Sequence, residues 1–372
     1  MSTNYASLFA KKVDEKFSKE SQAQLALNSD YKFTGVKTVN VYSIPVVPMN
    51  DYQRSGLSRY GVPKDLTTNV QTMTIRKDRG ATYIIDKGDK IQKQMVLEAG
   101  RSLSRQISLV AIPEFDTYVF RVLAAAATAR GGYATAPLNK GNAYEQFLKG
   151  MEYLGDRNVP DVGRVCFCTY GFYNLLKQDP AFVKYGNASQ DMLKRGELGE
   201  VDGCKIVRVA SSRLPAGAAF LITHKMAACG PKQLEDHFIH ENPPGLSGWL
   251  VEYRVIYDCF VLNNKADAIY YHGSQPVLKY LIADTAATAV GKSTIQVLSE
   301  KEGGKRYYVS AAAASDLTTV TYGTAVTIGD WTELTGSEME ITPETGHTVV
   351  RVVEVDGENK PIAVGDAMLN IG

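Results

Sequence analysis

Short runs of apolar residues predict most of the β-structure of this chain. The longest run is GWLVEYRVIYDCFV at Gly248–Val261, where apolar and polar residues alternate as in a strand with one buried face. Four shorter runs predict further strands, at Arg164–Thr169, Cys204–Val209, Phe220–Thr223 and Lys265–Tyr271. The first of these is almost wholly apolar, so we expect it to be buried.

Apolar residues at three- and four-residue spacing predict helices in the same part of the chain. The patterns run from Ile91 to Val110, from Pro113 to Arg130, from Ala143 to Gly155 and from Gly171 to Lys177. Pro113 interrupts the first pattern and suits the first position of a new helix, where Glu114 favours the helix dipole. Strands and helices are mixed without repeated βαβ units, which predicts an α+β fold.

The first third of the chain has a different character. Tyr5–Gln24 carries one narrow apolar stripe at helical spacing, which predicts an N-terminal arm (residues 1–30) that packs on something else. A strand is expected at Lys37–Pro45, and a hairpin at Thr72–Asp86 that turns at Asp78-Arg79-Gly80. Between them, Val46–Val70 is long and irregular, and such loops are usually functional or mobile.

The irregular segment is rich in residue types that are favoured in protein interfaces. We therefore predict interface residues at Tyr52, Arg54, Arg59, Tyr60 and Lys64. Further along, the glycine-rich acidic stretch RGELGEVDG ends in Asp202-Gly203, directly before a strand, and this pair favours a tight turn.

Beyond Pro276 the pattern predicts a second domain made only of strands. Short β-like runs separated by turns occur at Ser293–Leu298, Arg306–Ala311, Thr318–Tyr322, Met339–Ile341 and Thr348–Val355. Their spacing predicts a β-sandwich over residues 285–372. That segment has six Lys and Arg against twelve Asp and Glu, whereas the preceding residues have 35 against 28. The asymmetry indicates two domains in different surroundings.

The bulk composition is that of a globular protein, with 44% hydrophobic residues and a net charge of +1. The N-terminus is polar, which argues against a signal peptide, and no apolar run approaches the roughly 20 residues of a membrane span. The five cysteines include no CxxC pair. Cys166 and Cys168 share one face of a strand, too close for an easy disulfide, so we expect reduced, buried thiols made in a cytoplasm.

Sequence motifs for catalysis are lacking. There is no GxSxG elbow, no phosphate-binding loop and no GxGxxG after a strand. Cys229, His237 and His240 are the best candidates for a metal site, with HFIH suiting one face of a helix, but a clear fourth ligand is missing. We therefore expect no enzyme activity, no catalytic residue, no metal and no cofactor.

The order of these elements resembles the major capsid proteins of tailed double-stranded DNA phages, which have the Hong Kong 97-like fold. IPEFDTYVFRVLAAAA looks like the family's spine helix, GELGEVDGCKIVRV like part of its capsomer-centre domain, and WLVEYRVIYDCFVLNNKADAIYY like the closing strands of its core. The resemblance implies an N-terminal arm, a capsid core over residues 31–284 and a C-terminal Ig-like β-sandwich. Within the core it implies an extended loop at about 46–72, a spine helix at about 113–130 in a peripheral domain, and an axial domain at about 160–250.

The resemblance also implies a structural function. Copies of the chain would assemble into hexamers and pentamers that form an icosahedral shell around double-stranded DNA, contacted without sequence specificity. Assembly would occur in the host cytoplasm, no membrane would be involved, and the product would be the virion capsid. A portal and a separate scaffolding protein are expected partners, because strands begin by about Lys37 and leave no room for a cleavable scaffold-like segment unless the chain is already the mature form. The predicted subunit interface then also includes Arg76, Lys77, Arg79, Glu197, Glu200 and Asp202.

Two other functions are compatible with the sequence. A nanocompartment shell of the same fold would enclose a cargo enzyme instead of DNA. A binding or adhesion protein would use the C-terminal sandwich and would need exposed aromatic side chains, for which Trp331 is the one tryptophan in that segment.

Overall fold

The structure is a computed structural model that describes residues 21–28, 30–31, 37–56, 58–63, 65–88, 99–180, 199–299, 301 and 304–371. Strands and helices are mixed along the chain, so the predicted α+β class is confirmed. The N-terminal arm predicted at 1–30 lies largely outside the described residues.

The described residues up to 273 contain four α-helices and fourteen strands. The helices are α1 (Ala99–Gln106), α2 (Ile112–Ala129), α3 (Ala143–Asp156) and α4 (Tyr170–Gln178). The strands are β1 (Leu27–Asn28), β2 (Thr38–Ser43), β3 (Asn69–Thr74), β4 (Lys77–Asp86), β5 (Tyr133–Ala134), β6 (Arg164–Thr169), β7 (Glu200–Val201), β8 (Cys204–Val209), β9 (Ala218–His224), β10 (Ala228–Cys229), β11 (Lys232–Glu241), β12 (Gly248–Tyr257), β13 (Phe260–Val261) and β14 (Ile269–Gly273).

The central helix α2 organises the main core. Phe120, Leu123 and Ala124 are fully buried, and the Phe120 ring lies 4.9 Å from that of Phe167 on β6. The predicted break at Pro113 is wrong, because α1 continues into α2 through one π-helical turn at Ile107–Ala111. Such a turn lets the backbone continue next to a residue that has no N–H to donate.

A six-stranded mixed sheet forms the second core, in the order β5-β14-β9-β6-β8-β7. Helices α3 and α4 cover it, with Phe147 and Phe172 packing near Phe220 of β9. The strands predicted at Arg164–Thr169 and Cys204–Val209 are confirmed with the same bounds. The strand predicted at Lys265–Tyr271 is wrong in its first half, where a 3-10 helix occupies Asn263–Ala268.

The predicted tight turn before β8 is confirmed. Asp202 and Gly203 have φ angles of 51° and 72°, and Val201 pairs with Cys204 across them. Positive φ at both central residues is the geometry of a type I′ hairpin turn, which Asp-Gly adopts readily.

A separate long sheet has the order β11-β12-β4. The predicted hairpin at Thr72–Asp86 is therefore wrong: β4 runs unbroken through Asp78-Arg79-Gly80 and pairs with β12, whereas β3 pairs with β2. The helix suggested for HFIH is also wrong, because His237 and His240 lie in β11.

Residues 279–368 form two further sheets. Their strands are β15 (Lys279–Tyr280), β16 (Ala283–Ala289), β17 (Lys292–Val297), β18 (Lys305–Ala311), β19 (Thr332–Glu333), β20 (Glu338–Ile341), β21 (Val349–Val355) and β22 (Pro361–Met368). The sheets β15-β22-β21-β18-β19 and β16-β17-β20 share one core, in which Ile295 of one sheet packs near Val350 and Val352 of the other. We call this unit the C-terminal sandwich. The strand predicted at Thr318–Tyr322 is wrong, since that stretch is irregular.

The cysteines behave as buried apolar residues. All five are free and buried, as expected. Burial raises the pKa of Cys168 and of Cys204 to about 12, so neither is a thiolate at neutral pH.

Buried His272 on β14 gives a testable pH dependence. Its Nε2 lies 2.9 Å from the Ala136 carbonyl oxygen, its ring stacks on Phe220, and Nδ1 has no partner among the described atoms. Burial lowers the pKa of His272 from 6.5, so the unfolded state binds the proton first as the pH falls. Below about pH 6.5 the free energy of unfolding should therefore drop, by at most about 1.4 kcal/mol per pH unit from this group.

Denaturant unfolding between pH 7 and pH 5 measures this effect. The His272→Gln variant should show a shallower loss of stability with falling pH than the unchanged chain. Parallel curves for the two proteins would contradict the assignment.

Candidate subunit interface

Strands β2 and β3 form an antiparallel ladder that carries a long excursion of the chain, residues 44–68. We call this segment the arm; it is distinct from the predicted N-terminal arm at residues 1–30. Its described residues contain neither helix nor strand. The tip is held by a few local contacts: the Gln53 N–H donates to the Arg59 carbonyl at 3.0 Å, and the rings of Tyr52 and Tyr60 lie 5.0 Å apart, edge to face.

The arm and its ladder expose an unusual amount of apolar surface. Among the described residues here, ten large apolar side chains are exposed: Tyr42, Ile44, Val46, Val47, Met49, Tyr52, Tyr60, Val62, Leu66 and Val70. Val46 and Met49 are 93% and 97% exposed, which is close to full contact with water. A concentration of exposed apolar side chains is typical of an interaction site in a soluble protein.

The root of the arm, in contrast, is firmly packed. Met73 and Ile75 are each 1% exposed and pack with Leu262. The Gln71 side-chain amide accepts from the Asn263 N–H and donates to the Val261 carbonyl, both at 2.9 Å. These two bonds tie the start of β3 to the backbone at the end of β13. The arm therefore projects from a fixed base.

The predicted interface residues of the irregular segment lie on this arm. Tyr52, Arg54, Arg59 and Tyr60 are all exposed, and Lys64 lies outside the described residues. Sequence reasoning selected the aromatic and basic residues but missed apolar ones such as Val46, Met49 and Val62. The sequence does contain a signal for these residues, because they are apolar but follow neither strand nor helix periodicity.

The other predicted interface residues are placed differently. Lys77 packs over the rings of Tyr118 and Tyr280, and Arg79 Nε lies 2.7 Å from Glu114 Oε1, so both side chains already have partners within the chain. The Arg76 N–H donates to Asp258 Oδ2 at 3.0 Å.

The predicted acidic residues lie at the far edge of the six-stranded sheet. Glu200 and Asp202 are exposed there, and Glu197 lies outside the described residues.

A second exposed surface is the outer face of the long sheet. Ile84 and Phe238 are 57% and 55% exposed on this face, whereas Val251 on the opposite face is fully buried in the core. An ion pair crosses the outer face, with Arg254 Nε 2.9 Å from Asp78 Oδ1. The hydrogen bond from Arg254 lowers the pKa of Asp78.

Asp116 on α2 anchors residues 21–23, which lie within the predicted N-terminal arm (residues 1–30). Its carboxylate is fully buried and accepts four hydrogen bonds. Oδ1 accepts from the Ser21 hydroxyl at 2.6 Å and the Ala23 N–H at 3.3 Å, and Oδ2 accepts from the Gln22 N–H at 3.1 Å and Arg213 Nη1 at 2.7 Å. A buried charge of this kind is tolerated only because it is paired and fully hydrogen-bonded.

Within the described ranges, no group of three or more His, Cys, Asp or Glu side chains is arranged to hold a metal ion. The helices of the same ranges include none that is both long enough and apolar enough to cross a membrane.

No family model and no curated protein matches this chain, but solved structures do. A chain from Mycobacterium phage Che8 superposes with a TM-score of 0.61 at 16% identity, over 73% of this chain and 98% of the phage chain. The capsid structure of cyanophage P-SCSP1u gives a TM-score of 0.59 at 14% identity, over 72% and 92% of the two chains. The mature capsid of bacteriophage PhiM1 gives 0.56 at 13% identity, over 73% and 92%.

At these identities the likeness establishes the fold. The chain has the Hong Kong 97-like fold of phage capsid proteins, as the resemblance implied. The match covers nearly all of the Che8 chain but only 73% of this one, so this chain carries residues beyond the shared fold.

Proposed function

We propose that this chain is the major capsid protein of a tailed phage. Copies assemble into hexamers and pentamers, and these close into an icosahedral shell around double-stranded DNA. The observation that carries the proposal is the surface of the arm and its ladder, where ten large apolar side chains are exposed among the described residues, in a fold that this chain shares with phage capsid structures. The proposed role is structural, with no enzymatic step and no cofactor.

The arm's physical chemistry supports assembly. Covering an exposed valine, isoleucine or methionine side chain contributes about 1.5–3 kcal/mol. Within the described part of the chain these side chains remain in water, so this stabilisation is available to a neighbouring subunit. A fixed root also lowers the entropy that is lost when the arm binds, since part of the segment is already ordered.

The uneven charge supports an orientation in the shell. The C-terminal segment from Thr285 has six basic and twelve acidic residues, and the preceding part has 35 and 28. An acidic surface is repelled by DNA phosphates, so the proposed arrangement places the C-terminal sandwich outside and the basic part inside. Contact with DNA is then electrostatic and independent of sequence.

The proposal also covers partners and location. A separate scaffolding protein sets the shell's size during assembly in the host cytoplasm, a portal occupies one vertex, and the product is the virion. Of the other candidates, a nanocompartment shell would share the fold and the arm but would hold protein cargo. An adhesion protein is less well supported, because Trp331 is 7% exposed and offers no aromatic platform.

Negative-stain electron microscopy of the full chain tests the proposal, with the protein expressed alone and together with a candidate scaffolding protein. Closed polyhedral shells, tubes or ring-shaped capsomers are the expected result. Nuclease-protected DNA in shells from infected cells would distinguish a phage capsid from a nanocompartment. A monodisperse monomer or small dimer under every condition would overturn the shell assignment.

A further inference from the structure

Tyr280 of β15 connects the C-terminal sandwich to the rest of the molecule. Two cations lie close to its ring, with Lys77 Nζ 5.0 Å and the Arg121 guanidinium carbon 4.6 Å from the ring centroid. The Tyr118 ring meets it edge to face at 5.6 Å. Lys77 Nζ also donates to the Tyr280 hydroxyl at 3.4 Å. A cation over an aromatic face is attracted more strongly when both are shielded from water.

These contacts join three separate parts of the fold. Tyr118 and Arg121 lie on the central helix α2. Lys77 is the first residue of β4, three positions after the end of β3, the strand that follows the arm. Arg121 makes a second link to the sandwich, because its Nη2 donates to the Val364 carbonyl of β22 at 3.3 Å.

A second set of hydrogen bonds continues from this cluster to the arm. The Tyr118 hydroxyl donates to Asp258 Oδ1 at 2.6 Å, and Asp258 Oδ2 accepts from the Arg76 N–H at 3.0 Å. Asp258 is 2% exposed and Tyr118 is 8% exposed, so solvent does not compete for these bonds. Direct contacts thus run from the sandwich through Tyr280 and Tyr118 to the residue next to Ile75 at the arm's root.

The sandwich also shares the main core of the protein. Ile282 is 6% exposed and belongs to the same apolar cluster as Phe120 of α2. The Val277 N–H donates to the Thr128 hydroxyl near the end of α2 at 3.1 Å. The unit is therefore built onto the central helix and is not suspended on a free linker.

We propose that the C-terminal sandwich acts as an internal brace that holds the root of the arm against the central helix, with Tyr280 as the positioning residue. This role is distinct from any partner that the sandwich's outer surface binds. It concerns the single chain, and it holds whether or not the chain builds a shell.

Hydrogen exchange measured by mass spectrometry on the full, unassembled chain tests the brace. Tyr280→Ala should speed amide hydrogen exchange in residues 69–77 by about tenfold. Without the Tyr280 contacts, local opening of these residues costs less free energy. Exchange in β6, β8 and β9 of the six-stranded sheet should be unchanged. Tyr280→Phe keeps the ring next to the two cations, so its exchange rates should stay close to those of the unchanged chain.

Two further variants make the test decisive. Val290→Ala alters a 94% exposed residue of the same sandwich and should change nothing at the arm root. Lys77→Met removes one cation while leaving Tyr280 in place, and it should also speed exchange in residues 69–77. This variant tests the proposal if Tyr280→Ala does not fold. Unchanged exchange at 69–77 in Tyr280→Ala and Lys77→Met, or an equal rise throughout the molecule, would overturn the proposal. The exchange experiment does not depend on shell assembly, so failure of the brace proposal and failure of the proposed shell function are detected in different experiments.

Discussion

Changing Val46, Met49, Tyr60 and Val62 together to serine is expected to abolish shell formation and to leave the folded subunit as stable as before. These side chains are 93%, 97%, 84% and 76% exposed, so the single chain gains little from them. In the proposed shell a neighbour covers them, and each covered valine or methionine side chain contributes about 1.5–3 kcal/mol. Electron microscopy with sedimentation velocity measures assembly, and denaturant unfolding of the unassembled chain measures stability.

A matched control separates the arm from exposed apolar surface in general. Val162 and Val290 are 87% and 94% exposed but lie outside the arm, and changing both to serine should leave assembly intact. Normal shells from the fourfold arm variant would show that the arm is not the interface. A large loss of subunit stability in that variant would show that the arm packs on its own chain.

Asp116→Asn is expected to lower the free energy of unfolding by about 3–5 kcal/mol, since it removes one charge of a buried ion pair. Arg213 is 7% exposed and lies 2.7 Å from the carboxylate. The amide also brings N–H donors into a site where the Ser21 hydroxyl and the backbone N–H groups of Gln22 and Ala23 already donate. Denaturant unfolding measures the loss, and limited proteolysis near residue 21 should report release of the N-terminal segment.

Glu145→Gln on α3 is the control for this variant. Glu145 forms an exposed ion pair with Lys149 at 2.8 Å, and pairs of this kind contribute about 1 kcal/mol or less. If Asp116→Asn costs no more than Glu145→Gln, the Asp116 site does not anchor the N-terminal segment.

Local patterns in the sequence identified many elements correctly. The strands β6 and β8, the Asp202-Gly203 turn between β7 and β8, and helix α3 follow from alternation, turn chemistry and helical spacing over a few residues. These signals are local because each depends on backbone preferences and on which side chains share a face.

One error occurred where the partner of a strand had to be known. Thr72–Asp86 alternates as a hairpin would, yet β4 pairs with β12, which is about 170 positions away in the chain. Alternation specifies the buried face of a strand but not its neighbour. A 3-10 helix at Asn263–Ala268 takes the place of the first half of the strand predicted at Lys265–Tyr271, and the sequence pattern there does not distinguish the two.

Some features of the candidate interface were also visible in the sequence, whereas others depended on the tertiary structure. The sequence by itself determined that Val46–Val70 lacks a core and carries aromatic and basic residues, because composition and missing periodicity are visible without coordinates. Only the tertiary structure decided which side chains stay exposed, that Lys77 faces Tyr280, and that Asp116 faces Arg213. These pairs are 203 and 97 positions apart, and contacts over such separations form only when the whole chain packs.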